Sequence, residues 1–305
     1  MIPPDKSPLP AGRPSIEPLI NALVFDIDDL AHSLNEVKGT NLPNRYLVEQ
    51  ETFALLESLE IMALKATMFI PGYVARRFPG LVREIDRAGH EIGSHGFKHW
   101  VARRLQRDGF REDASAGKKI LEDILSKEID TFRAPDWGIT ADTLWAYDEL
   151  ISLGYRVDNS AQPSLLKSLG RAPEDMTPFS YPGGLTVIPV TSYRFWGRVF
   201  PFNGGLFCSY VPIGLQVNHF RQLNRRGIPI NYYCHPYEFC PQGVNRQAWK
   251  YGSLRAAFYG IHFGRYRETI SRLAKVFKFA PLQTAYRRFL PHSNQVFLSS
   301  SETTP

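Results

Sequence analysis

Short apolar runs alternate with longer stretches of helical periodicity along most of this chain. The apolar runs are often bounded by glycine or proline, which is typical of buried parallel strands. Seven such runs occur in order: ALVFDID, KATMFIPG, HEIGSHG, TFRAPDW, GYRVDNS, LTVIPVT and IPINYYCHP. Apolar residues recur at helical spacing in six stretches between them: residues 46–62, 73–88, 111–126, 141–153, 212–226 and 265–277.

This alternation predicts repeated strand–helix–strand units and therefore an α/β fold with a parallel sheet. A closed or nearly closed barrel is the first choice, and an open, doubly wound sheet is the second. Residues 196–210, rich in glycine and aromatic side chains, are interpreted as a loop insertion. We expect a flexible N-terminal arm over residues 1–19, one domain over residues 20–298 and a tail over residues 299–305.

The composition fits one soluble globular domain with an uneven charge. The chain has 305 residues, 43% of them hydrophobic, and a formal net charge of +6. Residues 244–290 contain ten Lys or Arg residues and one acid, Glu268. This region is either a solvated basic helix or a surface that meets an anionic polymer or the inner face of a membrane. No recognised binding motif accompanies the charge, so we expect no nucleic-acid partner.

Cysteine usage and hydropathy give an expected location. An odd, low number of cysteines argues against a disulfide framework and fits a reducing compartment: Cys208, Cys234 and Cys240. The N-terminus lacks the apolar stretch of a secretory signal. No window of about 18 uncharged apolar residues predicts a transmembrane segment. The expected location is the cytoplasm.

Polar residues cluster where the predicted strands end. In parallel α/β folds, the groups that do chemistry collect at the carboxyl ends of the strands. Such residues are rare at buried strand ends unless they are paired or bind something. The residues at these positions are Asp26, Asp28, Asp29, His95, His99, Arg133, Asp136, Asp158 and His235.

The histidine pair and the aspartate cluster predict a metal site. His95 and His99 are four residues apart, so a helix or a compact turn can bring both rings together, and imidazole suits zinc and similar metals. Asp26 and Asp28 alternate with one apolar residue and can point to one face of the strand. Close, buried carboxylates repel unless a cation or a proton relieves them.

Each of these residues also has a purely structural explanation. Asp29 can cap a helix, Arg133 can form a structural ion pair, and His235 can be a core histidine with a satisfied hydrogen bond. All of them, however, would have to gather at the same end of one sheet by chance. The joint pattern therefore favours a functional site.

Four segments in this order resemble the motifs of NodB-type polysaccharide deacetylases, carbohydrate esterase family four: FDIDD, SHGFKH, FRAPDW and YYCHPYE. The most specific match is FPGLVREIDRAGHEIGSHGFKH. The pairing of CHPYE with a later block, GRYRETISRLAKVFKFAPLQTAY, is similar to the branch associated with bacterial exopolysaccharide gene clusters of the PEP-CTERM/exosortase type. The resemblance covers residues 22–286.

The resemblance implies a distorted (β/α) barrel of about seven parallel strands, the NodB-homology fold. It implies a divalent metal, most often Zn²⁺, held by Asp28, His95 and His99. Relatives of this branch commonly have Glu-Asp where this chain has Asp28–Asp29, so Asp29 is the alternative metal carboxylate. Asp26 would be the general base.

Four further residues take roles by the same resemblance. Arg133 would hold and tune the general base, and His235 would be the general acid. Asp158 would lie near His235 or the substrate. Asp136, where relatives usually have a small or aromatic residue, alters the substrate groove, and Trp137 is a candidate for stacking on a sugar ring.

The expected function is the metal-dependent removal of N-acetyl groups from a polysaccharide or its sugar precursor. An N-acetylated saccharide is then the partner, with a peripheral membrane contact through the basic C-terminal region. One alternative is a non-catalytic carbohydrate-binding protein with the same fold. Another is a metal hydrolase that acts on small amides or O-acetyl esters.

Overall fold

A curled, mostly parallel β-sheet forms the centre of the molecule. The computed structural model describes residues 19–30, 32, 35, 46–202, 211–239 and 265–290. The strands of the sheet are β1 (Ile20–Asp26), β2 (Thr67–Ile70), β3 (Glu91–Ser94), β4 (Thr131–Phe132), β5 (Val157–Asp158), β6 (Phe179–Tyr181), β7 (Leu185–Val187), β10 (Asn231–Cys234) and β11 (Lys278–Ala280).

The strand order is β10-β1-β2-β3-β4-β5-β7-β6, with β11 paired to β1. Every pairing is parallel except that of β6 with β7. The seven apolar runs correspond to β1, β2, β3, β4, β5, β7 and β10, and the predicted α/β fold class is confirmed. No pairing among the described strands joins β10 to β6, so the sheet is a curled half-barrel.

Helices cover the outside of the sheet. They are α1 (Val48–Ile61), α2 (Gly72–Arg77), α3 (Pro79–Arg87), α4 (Ala102–Leu125), α5 (Trp145–Ser152), α6 (Pro163–Ser168), α7 (Ile213–Arg225), α8 (Pro236–Phe239), α9 (Arg265–Ala274) and α10 (Leu282–Tyr286). Within the described residues, none of them is both long and apolar enough to cross a membrane.

Two helices differ from their predicted extents. The helix predicted over residues 73–88 is divided, because Pro79 begins α3 and Phe78 before it leaves helical geometry at φ −127° and ψ 61°. Helix α4 begins at Ala102 rather than at residue 111, and its first part contains a non-helical residue, Gln106.

The predicted loop insertion is partly a β-hairpin. Strands β8 (Ser192–Phe195) and β9 (Arg198–Pro201) pair antiparallel, so the loop interpretation is wrong for this part. Trp196 and Gly197 join them at positive φ angles of 46° and 75°, which suits a two-residue hairpin turn. Residues 203–210 lie outside the described residues.

Strand β1 is buried on both faces, and this fixes where its polar residues point. Leu23, Phe25 and Ile27 pack into one apolar cluster, which includes residues of α1 and α3. Ala22 and Val24 pack into another, with Phe69 and Tyr233 among its members. Because side chains alternate along a strand, Asp26 faces the same side as Ala22 and Val24.

The N-terminal and C-terminal parts of the chain share this one sheet, because β10 and β11 both pair with β1. Residues 1–18 of the predicted arm, and all of the predicted tail over residues 299–305, lie outside the described residues. The domain boundaries stay predictions.

Candidate active site

The carboxyl ends of β1, β3, β4 and β10 bring the predicted site residues together. Asp26 ends β1, His95 follows β3, Arg133 follows β4 and His235 follows β10. Since β10, β1, β2, β3 and β4 are consecutive in the sheet, these ends lie along one edge. The predicted gathering of polar groups is therefore present in the geometry.

Asp26 and Arg133 form a buried ion pair. Nε of Arg133 lies 3.3 Å from Oδ2 of Asp26, and the arginine side chain is fully buried. Nη1 of Arg133 donates to Oδ1 of Asn159 at 3.1 Å. Oδ1 of Asp26 is buried and has no hydrogen-bond partner. That oxygen is available to a bound molecule.

Aromatic rings surround the guanidinium. Its central carbon lies 4.7 Å from the ring centroid of Tyr233, 5.5 Å from that of Trp137 and 5.6 Å from that of Phe69. Cation–π attraction partly replaces the hydration that Arg133 loses. The cation beside Asp26 is thus held in place by packing as well as by charge.

One ring nitrogen of His95 is hydrogen-bonded, and the other, Nε2, can bind a metal ion. Nδ1 donates to the carbonyl oxygen of Arg133 at 2.7 Å, which leaves the lone pair on Nε2. Burial, together with the neighbouring His99, holds the pKa of His95 well below its usual value. The ring is therefore neutral at physiological pH, as a metal ligand must be.

His99 and Asp28 are in direct contact. Nε2 of His99 lies 3.2 Å from Oδ2 of Asp28, and both side chains are almost fully buried. The rings of His95 and His99 are 5.0 Å apart at an interplanar angle of 66°. The backbone of His99 has φ 61°, in the left-handed region, which is uncommon for a residue with a side chain.

The two adjacent aspartates have different surroundings. Asp28 contacts His99, and its Oδ1 lies 3.9 Å from Nε2 of His235. Asp29 accepts a hydrogen bond on Oδ1 from the backbone N–H of His32 at 3.2 Å, and its own N–H donates to Tyr73 Oη at 2.9 Å. The carboxylate of Asp29 thus makes the kind of contact expected of a helix cap. The carboxylate of Asp28 instead faces His99 and His235.

The donor chemistry at this edge suits a divalent ion. The 3.2 Å between Asp28 Oδ2 and His99 Nε2 is close to the roughly 3.3 Å that separates two ligands of a tetrahedral zinc with bonds of about 2.0 Å. The His95 hydrogen bond to a carbonyl is the usual outer contact of a metal-binding histidine. Among the described residues, however, no three His, Cys, Asp or Glu side chains converge as a complete metal site.

His235 is held by a carboxylate that the sequence interpretation missed. Oε2 of Glu238 accepts hydrogen bonds from Nδ1 of His235 at 2.8 Å and from the backbone N–H of His235 at 2.9 Å. The ring stacks on Tyr237 at 4.6 Å. Glu238 is three residues after His235, on the first turn of α8, and this spacing in YYCHPYE is the signal that could have identified it.

These contacts determine the charge of His235. Burial by itself lowers its pKa, but the carboxylates of Glu238 and Asp28 and the hydrogen bond to Glu238 raise the pKa to about 9. The imidazole is therefore protonated at neutral pH. Because Nδ1 is directed at Glu238, Nε2 carries the proton that faces Asp28.

Asp158 was predicted to lie near His235 or the substrate, and its hydrogen-bond partners in the structure are Ser160 and Tyr147. Its Oδ1 accepts from Ser160 Oγ at 2.6 Å, and its Oδ2 accepts from Ser160 N at 3.0 Å and from Tyr147 Oη at 3.3 Å. Glu238, not Asp158, is the carboxylate in contact with His235. Asp158 is the last residue of β5, the strand next to β4, and interacts electrostatically with Arg133.

Asp136 and Trp137 lie in a conformation unusual for residues with side chains. Their φ angles are 50° and 49°, both in the left-handed region. Asp136 is exposed, whereas Trp137 is half-buried and packs edge-on against Tyr233 at 5.0 Å. Backbone strain of this kind persists where the surroundings enforce it, frequently at functional sites.

A second acid missed by the sequence interpretation is Glu51 on α1. It is buried, and burial together with the charges of Asp29 and Asp28 raises its pKa to about 8. Glu51 is thus mainly protonated at pH 7 and adds little negative charge beside the aspartates. Its position within a predicted helix gave no signal of this proximity.

Comparisons with known proteins agree with the fold. Residues 39–157 match the family model for polysaccharide deacetylases. Residues 160–287 match a model described as a domain of unknown function, DUF3473. These two matched segments contribute to the same sheet, since Val157 of β5, at the end of the first, pairs with Thr186 of β7 in the second.

Curated relatives and a solved structure are consistent with this match. A peptidoglycan-N-acetylglucosamine deacetylase of Bacillus cereus is 35% identical over 27% of this chain and 38% of its own length. A peptidoglycan deacetylase of Helicobacter pylori is 26% identical over 47% of this chain and 49% of its own length. A Mycobacterium smegmatis crystal structure assigned to the polysaccharide deacetylases has a TM-score of 0.58 at 22% identity, covering 94% of this chain and 97% of that one.

Residues 39–157 are therefore similar to polysaccharide deacetylases. The chain spans between about a third and a half of the length of the curated relatives that it matches, 35% to 49%. The structural similarity at 22% identity establishes the fold.

Proposed function

We propose that this chain is a metal-dependent hydrolase that removes N-acetyl groups from a polysaccharide or from its sugar precursor. The observation that carries the proposal is the arrangement at one sheet edge: the Asp26–Arg133 ion pair, the Asp28–His99 contact and a protonated His235. The family match over residues 39–157 supports it. The relatives named above act on peptidoglycan, an N-acetylated polymer.

Asp28, His95 and His99 would hold the divalent ion, which we propose to be Zn²⁺. Asp29 remains the alternative carboxylate, although the hydrogen bond that it accepts from His32, and the contact of Asp28 with His99, make Asp28 the better candidate. When bound, the ion would polarise the acetamide carbonyl and acidify a water molecule.

Asp26 is the proposed general base. Its Oδ1 is buried without a hydrogen-bond partner, so it can accept a proton from the attacking water. Arg133, beside Oδ2, orients the carboxylate and balances its charge. The aromatic rings around Arg133 exclude water from the far side of the pair.

His235 is the proposed general acid. Its Nε2 proton faces the same edge and can be donated to the amine that leaves the sugar. Glu238 fixes the tautomer through Nδ1 and keeps the ring stacked on Tyr237. Base and acid thus approach from different strands, β1 and β10, which pair with each other.

Asp136, Trp137 and Asp158 are the proposed substrate-binding residues. The exposed carboxylate of Asp136 can accept sugar hydroxyl protons in hydrogen bonds, and the indole of Trp137 can stack on a sugar ring. Asp158 would act indirectly, through Ser160 and Arg133, because its oxygens are engaged with Ser160 and Tyr147.

The similarity of CHPYE and its following block to the exopolysaccharide branch suggests an exopolysaccharide substrate. Cysteine usage suggests the cytoplasm, and the described cysteine, Cys234, is buried. The basic residues of α9 suggest a peripheral contact at the inner face of the membrane, where lipid-linked precursors are made.

Two other functions remain as alternatives to test. A carbohydrate-binding protein with this fold would bind an acetylated sugar without turnover. A metal hydrolase of another specificity would prefer small amides or O-acetyl esters, so the ratio of ester to amide hydrolysis distinguishes it.

Acetate release from N-acetylglucosamine oligomers tests the proposal. Metal-loaded wild-type protein is expected to release acetate, and the Asp26→Asn and His95→Ala variants are expected to lose nearly all of it. The same samples are assayed for bound metal. Bound metal with no acetate from oligomers, peptidoglycan fragments or lipid-linked precursor would sink the proposal and favour the binding protein.

A further inference from the structure

The loop that carries both histidines (residues 95–99, the histidine loop) is hydrogen-bonded along one side to the start of α2. The carbonyl oxygen of Gly96 accepts from the backbone N–H of Gly72 at 2.8 Å. The carbonyl oxygen of Phe97 accepts from the N–H of Tyr73 at 3.0 Å. Two carbonyl groups of the histidine loop are therefore satisfied by backbone donors.

The other side of the histidine loop is bound by a single carboxylate on α4. The backbone N–H of Phe97 donates to Oδ2 of Asp113 at 2.7 Å, and the N–H of Lys98 donates to Oδ1 at 2.9 Å. Asp113 is only 5% exposed. Hydrogen bonds to an ionised carboxylate are short and strong. Burial raises the pKa of Asp113, and these two hydrogen bonds counteract the rise.

Helix α4 also approaches the histidine loop closely enough to exclude a side chain. A Cβ atom placed on Gly117 would lie 2.6 Å from the carbonyl oxygen of Gly96. Gly96 itself has φ 67°, a conformation that suits glycine. Asp113 and Gly117 are four residues apart, so they lie on the same face of the helix.

We propose that Asp113 and Gly117 form a seat on α4 that fixes the histidine loop, and that Asp113 is a positioning residue for His95 and His99. The seat orders the loop before any ligand arrives, so that the two rings stand side by side without further rearrangement. The part of this inference that concerns metal affinity rests on the proposed function. The part that concerns loop order does not.

The Asp113→Asn variant tests the carboxylate. The asparagine side chain keeps one oxygen acceptor, but its NH₂ group cannot accept the second of the two backbone hydrogen bonds from Phe97 and Lys98. We expect hydrogen exchange in the peptide spanning the histidine loop to accelerate by at least about tenfold, as the loss of a charge-assisted hydrogen bond implies. Exchange in β2 and β5 should stay unchanged. The Glu112→Gln variant, at the exposed neighbouring position, is the matched control.

The Gly117→Ala variant tests the close approach with an opposing expectation. Alanine favours a helix over glycine, so a purely local helix effect would stabilise the protein. The seat predicts instead that the Cβ displaces Gly96 and accelerates exchange in the histidine loop. Gly109→Ala is the matched control on the same helix, because a Cβ there meets only Leu105 at 3.7 Å.

Zinc titration by calorimetry adds a second readout on the same four variants. Asp113→Asn and Gly117→Ala are expected to raise the dissociation constant of Zn²⁺ about 10- to 100-fold, as changes in outer contacts of metal ligands do. The two controls should match wild type. If wild type itself binds no zinc, the metal part of the proposed function fails, and the exchange data still decide on the seat.

The inference is overturned if loop exchange in Asp113→Asn equals that in Glu112→Gln. It is also overturned if Gly117→Ala and Gly109→Ala behave alike. Faster exchange throughout the sheet, with a matching fall in unfolding free energy, would assign both residues to general stability and would equally contradict the proposal.

Discussion

Each residue proposed for chemistry is held by a neighbouring side chain; Arg133 was predicted from the sequence, and Glu238 was not. Asp26 depends on Arg133, which in turn contacts Asn159 and three aromatic rings. His235 depends on Glu238. At the scale of single residues, the site is therefore a set of pairs, and each pair can be tested by changing the supporting member.

Glu238 should affect turnover more than substrate binding. Replacing it with leucine removes the acceptor for Nδ1 and for the backbone N–H of His235, so we expect kcat to fall by roughly 10²-fold with little change in KM. Glu238→Gln retains an oxygen acceptor and should lose less. Glu268→Gln, an exposed acid on α9, is the control. Equal losses in the leucine and glutamine variants would show that orientation is not the role.

Arg133 should be essential for stability as long as Asp26 is charged. The Arg133→Met change leaves a buried carboxylate without its cation, and we expect a loss of about 3–5 kcal/mol in unfolding free energy. Urea denaturation measures it. In an Asp26→Asn background the same change should cost much less. An equal cost in both backgrounds would mean that packing, rather than the ion pair, explains the loss.

At the scale of elements, the buried strands and long helices could be predicted because their signals are local. All seven apolar runs contain a parallel strand. In β1, for example, residues 22–25 are all apolar and are buried on both faces of the sheet. The site aspartates and histidines could be placed at strand ends because they directly follow these apolar runs.

The remaining elements could not be predicted, because tertiary contacts determine them. β11 is a three-residue strand that pairs with the start of β1, and β6 is defined by its antiparallel pairing with β7. Glu238 is an exception, because it lies three residues after His235 and this spacing is a local signal. Asp113 contacts backbone N–H groups 15 and 16 residues away, which only the fold brings near it. No pattern of residue types reports such contacts.

Helix α10 is docked beneath the sheet by a polar cluster. The backbone N–H of Gln283 donates to Oε2 of Glu91 at 3.1 Å, and Nε2 of Gln283 donates to Asp130 and Thr131 at 2.7 Å. Burial raises the pKa of Glu91 to about 7, despite its hydrogen bonds with Gln283 and Thr67. This docking is therefore sensitive to pH.

The sign of that sensitivity follows from the raised pKa. The folded state prefers protonated Glu91, so this contribution is full below the unfolded pKa of about 4.5 and is lost as pH rises through about 7. Glu91→Gln keeps the acceptor and cannot ionise. We expect it to be more stable than wild type at pH 8 by roughly 1–3 kcal/mol, and nearly equal at pH 4.5.

Urea denaturation of wild type and Glu91→Gln across this pH range measures the difference. Glu128→Gln, which changes an exposed acid, serves as control. A variant that is no more stable than wild type at pH 8 would contradict the prediction, because Glu91 would then carry no penalty when ionised.

At the scale of the whole molecule, exposed cations lie on α9 and the segment after it. Arg267, Arg272 and Lys275 are exposed, and Glu268 pairs with Arg272. The apolar residues of α9, Tyr266, Ile270 and Leu273, are buried instead. This helix therefore presents a basic outer face, which an anionic membrane surface would attract.

Neutralising that face should weaken binding to anionic vesicles. Each Lys or Arg near such a surface contributes about 1 kcal/mol, so changing four to glutamine should reduce binding by up to roughly 10³-fold. Co-sedimentation with phosphatidylglycerol vesicles measures it for the variant with changes at Arg265, Arg267, Arg272 and Lys275. The control has the same net charge, with changes at Arg83, Arg87, Arg103 and Lys119.

Binding that is equally weak in both variants would reflect net charge alone. Wild-type protein that does not bind these vesicles would refute the peripheral membrane contact. Neither result would bear on deacetylation, because the active-site residues are unchanged.

The central claim is that Asp28, His95 and His99 hold one divalent ion that supports N-deacetylation at this sheet edge. The most direct test is acetate release from N-acetylglucosamine oligomers while zinc is titrated into metal-stripped protein. We predict that activity of wild type rises to a plateau at one zinc per chain, that Asp29→Asn follows the same curve, and that Asp28→Asn stays inactive. Acetate release that needs no metal, or full activity of Asp28→Asn, would contradict the account.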